Sequence, residues 1–343
     1  MKAFSDPAQE LHSPRFFLMR GRLHPNYEVP ARAASLAAGL ARAGIAPQRP
    51  APAPRAALEA VHSAAFLDFL RDAPAQWAAL PDAGAEMVAN IHPAPEMLAQ
   101  GGFAGSHPVA QLGQFTADTA CPIGPGTWQA ALGAAACALA AAGEAAAGRS
   151  AYALCRPPGH HAYAARAGGH CYLNNAAIAA EALRRAGAAR VAVLDIDSHH
   201  GNGTQGIFWE RGDVMTISVH ADPDRYYPWY VGRGGETGAG AGGGCNLNLP
   251  LPFGTGDAGW LDSIAIGLAE IREYGADALV LSLGFDASKD EPLAALNVTE
   301  DGFARAGAAI AAAKLPTAII QEGGYNVDLL GTLLARFLDG WGD

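Results

Sequence analysis

Val191-Ala-Val-Leu-Asp195-Ile-Asp197-Ser-His199-His200-Gly-Asn-Gly203 runs from apolar, β-favouring residues straight into carboxylates, imidazoles and glycines. An apolar run without polar alternation fits a strand covered on both faces, as in a parallel sheet sandwiched by helices. Ligands of such sheets sit beyond the carboxyl ends of the strands, which is where the polar residues of this stretch fall. Three more short apolar runs end in the same way: in Arg156-Pro-Pro-Gly-His160-His161, in Ser282-Leu-Gly-Phe-Asp286 and in Gln321-Glu-Gly-Gly-Tyr325.

Outward from that stretch, helix and strand patterns alternate. Helices are expected over 130–148, 174–186, 261–274, 301–313 and 328–338, and strands over 152–155, 190–196, 214–219, 278–283 and 317–321. The alternation predicts an α/β fold: a single domain over 1–343 with a mainly parallel β-sheet and helices on both faces. Two stretches rich in Pro, Gly and polar residues, 46–54 and 91–127, break the pattern. The second falls in a loop insertion placed at about 85–127, and irregular segments of that length serve as functional loops, lids or oligomer contacts. The glycines of 232–244 neither follow a strand cleanly nor open a helix, which argues against nucleotide binding.

The 343 residues are half apolar and carry a formal charge of −10. That is enough for a large core, and it lacks the clustered cations that a nucleic-acid partner requires. The acidity favours approach of a cationic small molecule or peptide. No apolar run has membrane-span character, and Met1-Lys-Ala-Phe-Ser-Asp6 lacks a signal core, so a soluble, cytoplasmic enzyme is expected. The five cysteines are odd in number and have no C-x-x-C spacing; they read as reduced thiols.

Residues two apart on an extended strand end face the same side, which places Asp197 and His199 together with Asp195 one step deeper. Asp286 supplies a third ligand. Two carboxylates and one imidazole leave positions open for water and substrate, as a catalytic metal needs. The oxygen-rich set suits zinc, iron(II), cobalt or manganese. If Asp195 and Asp197 merely capped a helix, the other polar strand ends would go unexplained. Adjacent residues such as His160 and His161 rarely both reach one metal and suit proton handling instead, with Asp195 behind His160 and Asn202 behind His161. Pro157-Pro158-Gly159 fixes the backbone in front of them. Tyr325, after Gly323-Gly324, is aimed to donate to an oxyanion.

Together, Pro157-Pro-Gly-His160-His161, Asp195-Ile-Asp197-Ser-His199-His200-Gly-Asn-Gly203, Leu283-Gly-Phe-Asp286 and Glu322-Gly-Gly-Tyr325-Asn resemble the motifs of the histone deacetylases and bacterial acetylpolyamine amidohydrolases, which share the arginase/deacetylase fold. The likeness extends from Val61 to Tyr325. Through Asn26-Tyr-Glu-Val-Pro-Ala-Arg32 and Gly124-Pro-Gly-Thr-Trp128 it leans toward the acetylpolyamine amidohydrolase branch, whose insertion contributes to a dimer and narrows the entrance. The resemblance implies zinc on Asp197, His199 and Asp286, with His161 as the main general base and acid. His160 would be its electrostatic partner, backed by Asp195, and Tyr325 would polarise the scissile carbonyl. Also implied are a structural potassium ion at Asp195, Asp197, His199, Ser218 and Val219, and a homodimer or dimer of dimers. An aromatic-walled tunnel is implied at Gly169, His170, Tyr227 and Leu293. His170 stands where Phe or Tyr is usual, which makes the tunnel more polar or pH-sensitive. Asn202 stands where eukaryotic members commonly carry Asp.

The implied activity is hydrolysis of a small, acetyl-sized amide, in which His161 takes a proton from the attacking water and returns it to the leaving amine. Acetylated polyamines lead, on the insertion and the acidic charge; acetyl-lysine peptides or another small amide are the alternatives. Leu293 offers no carboxylate for a second substrate cation. A catalytically inactive acylamine-binding protein is opposed by the intact His160, His161 and Tyr325. A two-metal arginase-like centre is opposed by the lack of a carboxylate two residues beyond Asp286.

Overall fold

The computed structural model describes residues 1–342. A short strand β1 (Lys2–Phe4) leads to an antiparallel hairpin of β2 (Phe16–Met19) and β3 (Arg22–Pro25), then to helices α1 (Ala31–Arg42), α2 (Arg55–Glu59) and α3 (Ala64–Ala78). The stretch expected to be irregular holds two short helices, α4 (Pro95–Ala99) and α5 (Pro108–Phe115). Each opens on a proline in its first turn, where the missing N–H has no intrahelical partner to lose. The chain continues through α6 (Thr127–Ala146), β4 (Ala151–Ala153), α7 (Asn175–Arg185), β5 (Val191–Asp195), α8 (Asn202–Phe208), β6 (Val214–Ala221) and β7 (Asn246–Leu251). It ends with α9 (Asp257–Tyr274), β8 (Ala278–Leu283), α10 (Glu300–Ala311), β9 (Thr317–Gln321) and α11 (Val327–Trp341).

Seven strands form one parallel sheet in the order β1-β4-β9-β8-β5-β6-β7. Alternation within β5 shows why the run is apolar throughout: Val191 and Val193 enter a core built with α3, α5, α6 and α7, whereas Ala192 and Leu194 enter a second core with α1, α9, α10 and α11. Both faces are covered, as the uninterrupted apolar pattern requires. Helix α6 is long and apolar enough to cross a membrane by length and composition, yet most of it is buried inside the fold, its many alanines lying in the first of these cores. The four polar motifs follow β4, β9, β8 and β5, which are neighbours in the sheet, so their loops gather at one end.

Candidate active site

Strand β5 stops at Asp195 and the chain then turns, so strand alternation is not what joins Asp197 to His199. A side-chain-closed turn does it: the His199 N–H donates to Asp197 Oδ1 at 2.8 Å. His199 Nδ1 lies 3.1 Å from Asp197 Oδ1 and 3.1 Å from Asp286 Oδ2. Backbone donors hold the outer carboxylate oxygens, Gly323 N–H on Asp197 Oδ2 and Ser198 N–H on Asp286 Oδ1, each at 2.8 Å. All three side chains are buried. Burial alone would strip the proton from His199, but Asp286 and Asp197 outweigh it and raise its pKa to about 9. A buried set of two oxygens and one nitrogen with that much unbalanced negative charge fits a divalent metal.

Glycine keeps this cradle open. A Cβ on Gly284 would collide with Asp197 Oδ2, and one on Gly323 with the carboxylates of both Asp286 and Asp197. Gly284→Ala is expected to weaken metal retention by about 10–100-fold, the range seen when groups supporting a metal's ligands are disturbed. Metal content after dialysis against a graded chelator checks this; retention equal to the parent's would mean the carboxylates have room to move.

The two histidines are presented by a loop pinned from below, where Glu322 Oε2 accepts from Gly159 N–H at 2.6 Å and His160 N–H at 3.1 Å. His160 Nδ1 donates to Asp195 Oδ2 at 2.9 Å and His161 Nδ1 to Asn202 Oδ1 at 2.6 Å, with the two rings 4.0 Å apart. Burial disfavours the charged form of both. At His160 the Asp195 and Asp197 carboxylates overcome it and raise the pKa to about 10. At His161, backed only by an amide, burial wins, and the neighbouring His160 and His199 push the pKa further below its ordinary value. One ring is therefore held as a cation and the other as a free base.

Tyr325 is aimed by its backbone: its N–H donates to Glu291 Oε2 at 2.8 Å and the next N–H, of Asn326, to Glu291 Oε1 at 3.1 Å. The buried Arg32 guanidinium lies 4.9 Å from the Tyr325 ring centroid and donates to the Gly324 and Glu322 carbonyls at 2.5 and 2.6 Å. Burial lifts the phenol well above its ordinary pKa, against the pull of Arg32, so it remains a donor. Glu291 and Glu322 escape sequence reading because a carboxylate that works on backbone N–H groups leaves no spacing signature. Arg32 is visible in sequence only as part of a resembling stretch.

A cavity of about 490 Å³ descends to this centre, with His161, His199 and Tyr325 among its lining residues. Gly169, His170, Tyr227 and Leu293 all line it, joined by Phe17 from the β2–β3 hairpin and by Trp229 and Phe253. His170 has its ring 5.6 Å from Phe17 and 6.0 Å from Tyr325. Burial lowers its pKa to about 4, so at neutral pH the imidazole is neutral and makes the wall polar without making it a pH switch. Tyr226, unmarked in the sequence, stacks on the His199 ring at 4.4 Å and donates to the Leu293 carbonyl at 2.7 Å, which ties a wall residue to a metal-ligand candidate. The lining includes Arg20 and Arg225 and no carboxylate, so the overall negative charge of the chain is not located in this cavity. Of the residues expected around a potassium ion, Asp195 and Ser218 are register partners on adjacent strands, Asp195 Oδ1 accepts from the Asp197 N–H at 3.1 Å, and the 197–199 turn is tied to β6 by Ala221 N–H on the Ser198 carbonyl at 2.9 Å.

Residues 24–340 match the histone deacetylase domain. The chain is 46% identical to the acetylpolyamine amidohydrolase of Burkholderia pseudomallei across all of this chain and 99% of that protein, and 38% identical to that of Mycoplana ramosa across 99% of each. The crystal structure of the acetylpolyamine aminohydrolase from Burkholderia pseudomallei superposes with a TM-score of 0.95, covering 100% of this chain and 98% of that one. The HD domain of HDA15 superposes at 0.81 with 28% identity, covering 100% and 91%. A parallel sheet with carboxylates, imidazoles and a half-buried phenol at four adjacent strand ends defines a metal-dependent hydrolase of amides. The chain belongs to the histone deacetylase family.

Proposed function

We propose that this protein removes a small acyl group, acetyl foremost, from an acetylated polyamine. The observation that carries this reading is the cavity ending on His161, Tyr325 and His199, in a chain alike over its whole length to acetylpolyamine amidohydrolases. Asp197, His199 and Asp286 would hold the metal, zinc in the first instance and iron(II) or cobalt as alternatives. Bound there, it would supply an electrophile for the acyl oxygen and an acidified water as nucleophile. His161 Nε2, left free by the Nδ1 bond to Asn202, accepts the water's proton and later delivers it to the departing amine. His160, held cationic by Asp195, favours the negative charge that builds up on the carbonyl, and Tyr325 donates to that oxygen. Acetate and a free amine leave.

A structural potassium ion at Asp195, the Asp197 and His199 carbonyls, Ser218 and Val219 would stiffen the turn that carries two of the metal ligands. We infer a homodimer or dimer of dimers through the 85–127 segment, and a cytoplasmic setting, supported by five free cysteines. A second reading, deacetylation of acetyl-lysine peptides, is favoured by Arg20 and Arg225 in the cavity lining, where no carboxylate waits for a substrate ammonium.

The test is amine release by metal-quantified protein from N-acetylputrescine, N-acetylspermidine, an acetyl-lysine peptide and a trifluoroacetyl-lysine peptide. Fast polyamine turnover that stops on chelation and returns with zinc is the expected result. Preference for the peptides transfers the assignment to a peptide deacylase, and no turnover at one metal per chain removes the proposal.

A further inference from the structure

We infer that Asp118 is a positioning residue that sets the bore of the tunnel by holding two of its walls, Gly169 and Tyr227, on one carboxylate. The inference rests on the 490 Å³ cavity being the acyl-amine tunnel proposed above.

Asp118 Oδ2 accepts from the Tyr227 hydroxyl at 2.6 Å and from Gly169 N–H at 3.0 Å, while Oδ1 accepts from Ala120 N–H at 2.7 Å and, more distantly, from Gly169 N–H at 3.3 Å. Three segments remote in the chain thus meet on one side chain: the stretch after α5, the β4–α7 connection and the β6–β7 connection. The same stretch also sets the register of the Gly169 wall. Ala167 N–H donates to the Phe115 carbonyl at 2.8 Å, Ala117 N–H to the Ala167 carbonyl at 2.7 Å, and His170 N–H to the Ala120 carbonyl at 3.2 Å. The Gly169–His170 wall is therefore fastened to residues 115–120, outside the sheet's own ladder.

The walls leave no slack beside the reacting groups. Tyr227 stands edge-on to the His161 ring, 4.7 Å between centroids and 83° between planes. Gly169 has φ +53°, in the left-handed region, and a Cβ there would strike the His161 ring and come within 2.9 Å of the Tyr227 hydroxyl. Burial, with the Asp118 carboxylate adding to it, raises the Tyr227 phenol well above its ordinary pKa, which keeps the O–H as a donor. Asp118 is not among the residues lining the cavity. Its carboxylate acts on substrate only through the wall residues it holds, Tyr227, Gly169 and Ala120, so its removal should change which acyl groups fit before it changes the chemistry.

Metal-loaded Asp118→Asn and Tyr227→Phe, singly and together, are to be compared with the parent on N-acetylputrescine and N-butyrylputrescine, with KM, kcat, metal content and Tm measured for each. Asn has one amide oxygen where the carboxylate has two, so it cannot accept from Ala120 N–H on one side and from Tyr227 and Gly169 on the other, and its NH2 group faces a donor whichever way it turns; the walls loosen. KM for the acetyl substrate is expected to rise about tenfold, the scale of one hydrogen bond to a charged acceptor, while kcat changes by less than about threefold. Preference for acetyl over butyryl falls by about the same factor, and the double variant is no worse than Asp118→Asn alone, because the bond that Tyr227→Phe removes is one of those the Asp118 carboxylate makes. Acetyl/butyryl ratios at the parent value in both variants would overturn the inference. So would losses equal for the two substrates that follow a fall in Tm. If Asp118→Asn does not fold, Tyr227→Phe, which keeps the carboxylate, decides alone. A parent that cleaves neither amide removes the tunnel reading and this inference with it, whereas an active parent with unaltered variants removes only the role of Asp118.

Discussion

Tyr325→Phe is expected to lower kcat by about 10²–10³-fold, the usual cost of removing one donor from a developing oxyanion. Metal content should stay at the parent level, because Tyr325 makes no bond to Asp197, His199 or Asp286. KM should change little, since the ring is retained and its position is set by bonds that do not involve the hydroxyl: Glu291 on the Tyr325 and Asn326 N–H groups, and Arg32 over the ring. The phenol's raised pKa matters to the sign. An ordinary tyrosine begins to lose its proton, and with it its donor capacity, near pH 10, whereas burial at Tyr325 moves that loss to higher pH. The parent's kcat should therefore show no alkaline fall attributable to Tyr325 in the neutral to mildly alkaline range. Single-turnover rates with metal-quantified parent and variant check this, and a loss below about tenfold would mean that the carbonyl is polarised by other groups.

What was legible in the sequence, and what was not, divides along physical lines. Strands 278–283 and 317–321 lie where their apolar runs place them, because a strand buried on both faces is apolar over most of its length, with Ser282, Thr317 and Gln321 as the polar exceptions. Strand β7, at the edge of the sheet, alternates Asn and Leu and contains Pro250, so it has no such run. Three-residue β1 is too short to show a period. In the site, Asp197, His199 and Asp286 do converge, but by a turn that His199 N–H closes on Asp197, where strand alternation was expected. The pairs His160–Asp195 and His161–Asn202 form as the sequence implies. The supports do not announce themselves: Glu322 under the histidine loop, Glu291 under Tyr325 and Asp118 behind the tunnel all accept from backbone N–H groups, which every residue except proline possesses. The −10 charge also misleads about the mouth, because the cavity lining holds two arginines and no acid.

His161→Ala is expected to lower kcat/KM by about 10²–10⁴-fold, the contribution of a general base placed on the attacking water. The pH profile separates this role from mere packing. A protonated His161 cannot accept a proton, so the parent's kcat/KM falls on the acid side as His161 titrates. Burial, with His160 and His199 nearby, displaces that titration below the ordinary histidine range, so the acid limb should lie below about 6.5. His160 does not generate this limb: Asp195 and Asp197 raise its pKa to about 10, and it is already cationic through the neutral range. Asn202→Asp tests the assignment without removing the ring. A carboxylate in place of the amide oxygen, 2.6 Å from His161 Nδ1, stabilises the imidazolium and should carry the acid limb upward by about 1–3 pH units. Across the range the limb moves into, that variant loses rate because part of His161 is protonated, and at higher pH it recovers toward the parent. An acid limb that remains in His161→Ala, or one that stays in place in Asn202→Asp, would assign the base to another group. Loss of the limb in the first variant together with its upward movement in the second identifies His161 as the residue that takes the water's proton.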